Sequence, residues 1–265
     1  MNPTIELSVF AETDIGQSRA VNQDRVFAWA SPLAKENRLA LLLVADGMGG
    51  HQAGEVASKL AVETISTLLL PRLEQDLAQS PESLAELERI LREAIEEASA
   101  EIRRYAETQL DAANGMGTTI AAALIQGDQA IIAHVGDSRI YLLGQAGLEQ
   151  LTRDHTAVSE LVAEGLLDAE DILDHPQRHI LSQALGASPW IEIDTRVIPI
   201  RPGDWLLLCS DGLWSMVRDI TSIEQILGRA GSPEEAVWAL IEAANQHGGE
   251  DNIGIAIGQI KAVWP

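Results

Sequence analysis

Two apolar stretches of this chain end in the same way, LLLVAD closing on Asp46-Gly47 and LLLCSD on Asp211-Gly212. A third acid, Asp251, stands in GGEDNIGIAI, at the start of the last apolar run. Each acid alone reads as a turn residue, because Asp-Gly is a common way for a strand to reverse. Their recurrence suggests a second reading. If the last strand runs antiparallel to the other two, its start and their ends share one edge, and the three carboxylates meet there. Carboxylates brought together repel unless a proton or a cation offsets their charge, and hard divalent cations, which take oxygen ligands, are the usual solution.

Other chemistries are weaker. Lys35, Lys59 and Lys261 are the only lysines, and none lies in a glycine-rich loop. A phosphate loop ending in Gly-Lys-Ser/Thr is thus absent, as is the strand lysine of a protein kinase. Cys209 is the single cysteine. A cysteine phosphatase loop needs an arginine six positions on, and Ser215 stands there; burial at a strand end is the better account. His175 and His179 have helical metal spacing in HPQRH but lack the glutamate of a zinc protease and a third ligand. An aspartyl-nucleophile phosphatase wants Asp-x-Asp after its first strand, and Met48 takes the place of the second acid.

The elements that must position these residues follow from apolar periodicity. Ala53, Val56, Ala57, Leu60, Ala61, Ile65 and Leu68 recur at helical spacing directly after the glycines. Leu84, Leu87, Leu91, Ile95, Ala98, Ile102 and Tyr105 give a second helix, with Pro71 and Ser80-Pro81 as punctuation between the two. Two helices without an intervening strand argue against a doubly wound sheet. From Gly117 the pattern turns to strands, TTIAAALI and QAIIAHVGDSRIYLL, joined by turns as antiparallel hairpins. Residues 152–189 are mixed and irregular. WIEIDTRVIPI slips in alternation around Pro199, the mark of a bulge or an edge strand. A last helix carries Ala236, Val237, Leu240, Ile241 and Ala244 before the final strand. The blocks predict an α+β fold, a four-layer α/β/β/α sandwich with two central, mainly antiparallel sheets flanked by helix pairs.

The 265 residues form one domain, 1–265, with no linker, internal repeat or low-complexity segment. Forty acidic against eighteen basic residues leave a formal charge of -22, which argues against nucleic acid as a partner. No apolar run approaches the length of a membrane span, and a single cysteine fits a reducing compartment; a soluble, cytoplasmic monomer is expected.

Six segments in order resemble the metal-dependent Ser/Thr protein phosphatases of type 2C in their bacterial form: RAVNQD (Arg19 to Asp24), DGMGGH (Asp46 to His51), GMGTT (Gly115 to Thr119), GDSR (Gly136 to Arg139), CSDG (Cys209 to Gly212) and GEDN (Gly249 to Asn252). The resemblance runs from about Thr13 to Ile260. It implies two Mn²⁺ or Mg²⁺ ions at one edge of the sandwich, bridged by Asp46, with the Gly47 carbonyl on the second and Asp211 and Asp251 on the first. Asp137 would hold a possible third ion shared with Asp211; its alternative role is a hydrogen-bonded strand-end acid. Arg19 would grip the phosphate oxygens through its planar fork.

The implied reaction is hydrolysis of phosphoserine and phosphothreonine in proteins phosphorylated by Ser/Thr kinases, by direct attack of a metal-bridging water without a phosphoenzyme. Some relatives carry a histidine, a proton donor, where this chain has Met48; nearby His51 is read as structural. Residues 152–189 would form a flap beside the site, and Gly115-Met116-Gly117 a close backbone passage. The competing class is a non-catalytic phosphoprotein-binding or regulatory module on the same fold.

Overall fold

The computed structural model describes residues 4–31, 39–49, 53–76, 83–108 and 115–263. Its strands are β1 (Thr4–Asp14), β2 (Asp24–Ala30), β3 (Leu39–Met48), β4 (Gly117–Thr118), β5 (Ile120–Gln126), β6 (Gln129–Val135), β7 (Arg139–Gly144), β8 (Gly147–Gln150), β9 (Asp194–Pro199), β10 (Trp205–Cys209) and β11 (Ile253–Val263). The helices are α1 (Ala53–Asp76), α2 (Leu84–Thr108), α3 (Ala157–Ala163), α4 (Asp211–Trp214), α5 (Ile220–Arg229) and α6 (Pro233–Gln246). One sheet has the order β1-β11-β10-β7-β8; the other runs β2-β3-β5-β6-β9, with β4 paired to the end of β3. Every pairing between these strands is antiparallel.

The α/β/β/α sandwich explains why β3 is apolar at every position from Leu39 to Ala45. Leu39, Leu41, Leu43 and Ala45 face α1 and α2, while Ala40, Leu42 and Val44 face the other sheet. With period two and both faces covered, no position is left for a polar residue. β10 divides likewise: Trp205, Leu207 and Cys209 meet α4, α5 and α6, and Leu206 and Leu208 meet the facing sheet. Cys209 is fully buried, and burial pushes its thiol far above the usual range, as expected of a core residue.

Several expectations change. The run QAIIAHVGDSRIYLL is two strands in different sheets, and the chain crosses the sandwich at Gly136–Ser138 between β6 and β7. Pro71 does not end a helix, since α1 continues through it to Asp76. Both Pro71 and Thr67, whose carbonyl loses a partner, are exposed, so water can serve instead. Leu68 (48% exposed) and Tyr105 (36%) leave the buried faces assigned to them; the inward line of α1 is Ala57, Ala61, Ile65, Leu69 and Leu73. Ser80 and Pro81 lie outside the described residues. β9 begins at Asp194 rather than Trp190 and pairs only with β6, in unbroken register, so it is an edge strand without a bulge.

Candidate active site

The three acids of the sequence reading meet, but not along one sheet edge. β11 is antiparallel to β10, which brings Asp251 beside Asp211. β3, with Asp46, belongs to the facing sheet. The carboxylates therefore close over one end of the sandwich from both sheets.

At the end of β3, the Asp46 backbone is fixed on both sides by the GMGTT segment. Thr119 N and Thr118 Oγ1 donate to the Asp46 carbonyl at 2.9 and 2.8 Å, and Asp46 N donates to Thr119 Oγ1 at 3.0 Å. Gly47 is required by proximity: a Cβ there would stand 2.0 Å from the Gly54 carbonyl oxygen at the start of α1. Gly212 answers to the same demand, its Cβ position lying 1.9 Å from the Asn252 carbonyl oxygen. Both Asp-Gly pairs are thus places where a second backbone passes directly behind the acid. Gly117 is a third such passage, against Met48 and the Leu185 carbonyl, as read from GMG.

Asp24 was quoted in a motif but given no role by sequence reasoning, and it is central here. It is 1% exposed and stands opposite Asp46 in the β2–β3 register. Ser210 Oγ donates to Asp24 Oδ2 at 2.6 Å and accepts from Gly254 N at 2.8 Å, tying β2, β10 and β11 together. Asn252 completes the stitching, accepting from Gln23 N at 2.8 Å and donating to the Ile15 carbonyl at 2.9 Å. Asp137, 5% exposed at the sheet crossover, receives the Trp214 indole N–H on its carbonyl at 3.1 Å. Arg139 forks onto Asp154 and lies over the Trp214 ring at 3.6 Å, bracing that crossover.

Burial, and then neighbouring carboxylates, make this cluster reluctant to ionise. Asp24 is pushed up to about 7 and Asp211 to about 6; Asp46 and Asp137 are raised as well. After burial, the charges of Asp24, Asp211, Asp137 and Asp251 all raise Asp46. When all are ionised, buried Asp24 Oδ1 and Asp211 Oδ1 have no hydrogen-bond donor. Orphaned, buried, anionic oxygens converging from several strands are the donor set that hard divalent cations satisfy.

Opposite the acids stand the cations. Arg19 Nη2 donates to Asp251 Oδ2 at 2.6 Å, and half of the Arg19 side chain remains exposed. Arg178, His179 and Arg218 also line this cleft of about 680 Å³, as do Gly47 and Met48. His179 Nδ1 lies 3.9 Å from Asp211 Oδ2. No sequence signal singled out Arg178 or Arg218; Arg178 comes from a segment distant from every acid of the cluster, and Arg218 from the stretch seven residues after Asp211. His175 and His179 do not form the helical metal pair their spacing allowed, since His175 ends the 3₁₀ turn Ala169–Asp174 and accepts from Gln177 N. His51 lies outside the described residues. The stretch 152–189 is irregular as read, with α3 capped by Thr156 and the return arm pinned where Leu185 and Thr118 exchange backbone bonds.

The chain resembles known proteins along nearly its whole length. The family described as Protein phosphatase 2C matches residues 16–238. The serine/threonine phosphatase stp of Listeria monocytogenes is 43% identical over 245 residues, 92% of each chain. The crystal structure of the Mycobacterium tuberculosis serine/threonine phosphatase PstP/Ppp superposes with a TM-score of 0.82 at 36% identity, covering 96% of this chain and 99% of that one. The catalytic domain of PstP in complex with 2 manganese ions gives a TM-score of 0.79 at 34% identity, covering 97% and 100%. With the two-sheet sandwich and its acidic end, these likenesses establish that the chain belongs to the protein phosphatase 2C family.

Proposed function

We propose that the protein is a Mn²⁺- or Mg²⁺-dependent protein serine/threonine phosphatase, a single catalytic domain whose substrates are phosphorylated proteins. The observation that carries this reading is the convergence of Asp24, Asp46, Asp137, Asp211 and Asp251 from two facing sheets, with Arg19 on its rim. The activity named for the relatives agrees with it.

Asp46 and the Gly47 carbonyl, with Asp211 and Asp251, would hold two ions, and Asp137 a third. Such ions supply Lewis-acid stabilisation of phosphoryl oxygens and an activated water for in-line attack. The chain's own residues do the rest. Asp24, buried opposite Asp46 in the β2–β3 register, keeps one carboxylate oxygen without a protein partner and accepts from Ser210 at the end of β10 with the other. Arg19, held by Asp251, offers a planar fork to phosphate oxygens in an otherwise anionic mouth. Arg178 and Arg218 offset the overall negative charge where a phosphoprotein must approach. Met48 carries no transferable proton; the imidazole of His179, the one histidine lining the cleft among the described residues, is the candidate donor to the departing serine or threonine oxygen. Residues 152–189 would form the flap against which a protein substrate docks.

Purified protein should hydrolyse p-nitrophenyl phosphate and a phosphothreonine peptide with Mn²⁺ and stop on chelation. Full activity in Asp46→Ala or Asp211→Ala would overturn the assignment. Binding of metal and phosphopeptide without turnover would favour the regulatory module instead.

A further inference from the structure

A second group of potential ligands lies apart from the acidic centre. His134 on β6 is 4% exposed and stands opposite Asp194 of β9 in the strand register. Asp194 lies on the edge strand of the six-stranded sheet and His134 on the strand beside it. The His134 ring lies 4.5 Å, centroid to centroid, from that of His155, whose Nε2 is 3.4 Å from Asp194 Oδ2. One ligand atom from each residue falls within 4.8 Å of the others.

We propose that His134, His155 and Asp194 form a binding site for a divalent transition-metal ion of the zinc class. Two imidazole nitrogens and one carboxylate suit Zn²⁺ or Co²⁺ better than the hard ions of the acidic centre. Ligands on a tetrahedral ion of this kind stand about 3.4 Å apart, given bonds of roughly 2.0 to 2.2 Å. The His155–Asp194 pair already has that spacing, at 3.4 Å. His134 Nε2 donates to the Arg153 carbonyl at 2.8 Å, which leaves Nδ1 bare and sets the ring's orientation. A backbone carbonyl behind a metal-binding imidazole is the usual orienting arrangement. Burial also keeps the His134 imidazole neutral by lowering its affinity for a proton. Solvent at the half-exposed Asp194 supplies the fourth position.

His155 has a counter-demand. Its Nδ1 accepts from Gly136 N at 3.3 Å, so in the metal-free protein its ring proton sits on Nε2 and faces Asp194. Metal uptake at Nε2 moves that proton to Nδ1 and gives up the long Gly136 contact. The His155 backbone keeps its place, donating to the Gly136 carbonyl at 2.9 Å and accepting from Ser182 N at 2.9 Å. The exchange therefore needs only the ring.

The test uses the full chain carrying Asp46→Asn and Asp211→Asn, which silences the acidic centre. Titration with Co²⁺ should give the visible absorption of a tetrahedral ion at one per chain, displaced by Zn²⁺. Adding Asp194→Asn should weaken binding by about tenfold or more, and His134→Gln likewise. Asp194 is half-exposed on an edge strand, so its substitution leaves the fold intact even where His134→Gln does not, and melting curves report this. Absence of Co²⁺ absorption in the silenced chain, or unchanged affinity in Asp194→Asn, would overturn the proposal.

Discussion

Asp24 and Asp46 stand directly opposite each other across the β2–β3 pair, two acids in one antiparallel register at the end of the sandwich. Like charges placed so are destabilising unless a cation or a proton joins them. Asp24→Asn keeps an oxygen for the Ser210 hydroxyl and gives Asp46 an N–H. The variant should melt several degrees higher than the parent in chelator, yet gain less from Mn²⁺ and lose about tenfold or more in kcat. Melting curves with and without Mn²⁺, beside p-nitrophenyl phosphate turnover, check both halves.

The two Asp-Gly glycines give a second prediction. Gly47→Ala and Gly212→Ala each place a methyl group about 2 Å from a backbone oxygen that cannot rotate aside. Each should lose roughly 3 kcal/mol or more in urea denaturation, at the upper end of overpacking effects. Gly228→Ala, in α5 with nothing near its Cβ position, should instead gain up to about 1 kcal/mol.

His179 can be separated from the metal machinery by the leaving group. A serine or threonine alkoxide must be protonated as it departs, whereas p-nitrophenolate leaves readily without a proton. His179→Ala should lower kcat on a phosphothreonine peptide by about 100-fold and barely alter p-nitrophenyl phosphate hydrolysis. Equal losses on both substrates would assign His179 to positioning instead.

The acid cluster also fixes a pH dependence. Asp24 and Asp211 have folded-state pKa values raised to about 7 and about 6, so their contribution to stability is complete below the ordinary carboxylate range. It is lost as pH rises through those values, because the unfolded chain ionises first. Cations and protons compete for the same oxygens. The rise in melting temperature on adding Mn²⁺ should therefore be larger at about pH 8 than at about pH 5, measured against chelator at each pH. An equal rise at both would contradict the linkage.

How much of this was written in the sequence depends on the range of the interactions involved. Periodicity gave α1, α2 and α6, the apolar runs LALLLVA and WLLLC, and a bulge or edge strand near Pro199, of which the edge holds, but it brought out neither α4 nor α5. It failed at Pro71, where an exposed helix side tolerates a missing hydrogen bond. Motif order brought out Asp46, Asp137, Asp211, Asp251 and Arg19, and all five line one cleft.

What the amino-acid sequence by itself determined was thus the inventory: which strands are buried, which acids end them, and which known proteins share their order. Only the tertiary structure decided that β3 and β10 lie in facing sheets, that Asp24 answers Asp46, and that His179 reaches Asp211 from a distant segment. The reason is physical. A strand's alternation specifies which faces are buried but not which strand lies beside it, and pairing depends on contacts far along the chain. The meaning of Asp-Gly was settled at the same level, because the oxygen that forbids a side chain at Gly47 belongs to another element and is invisible until the chain has folded onto itself.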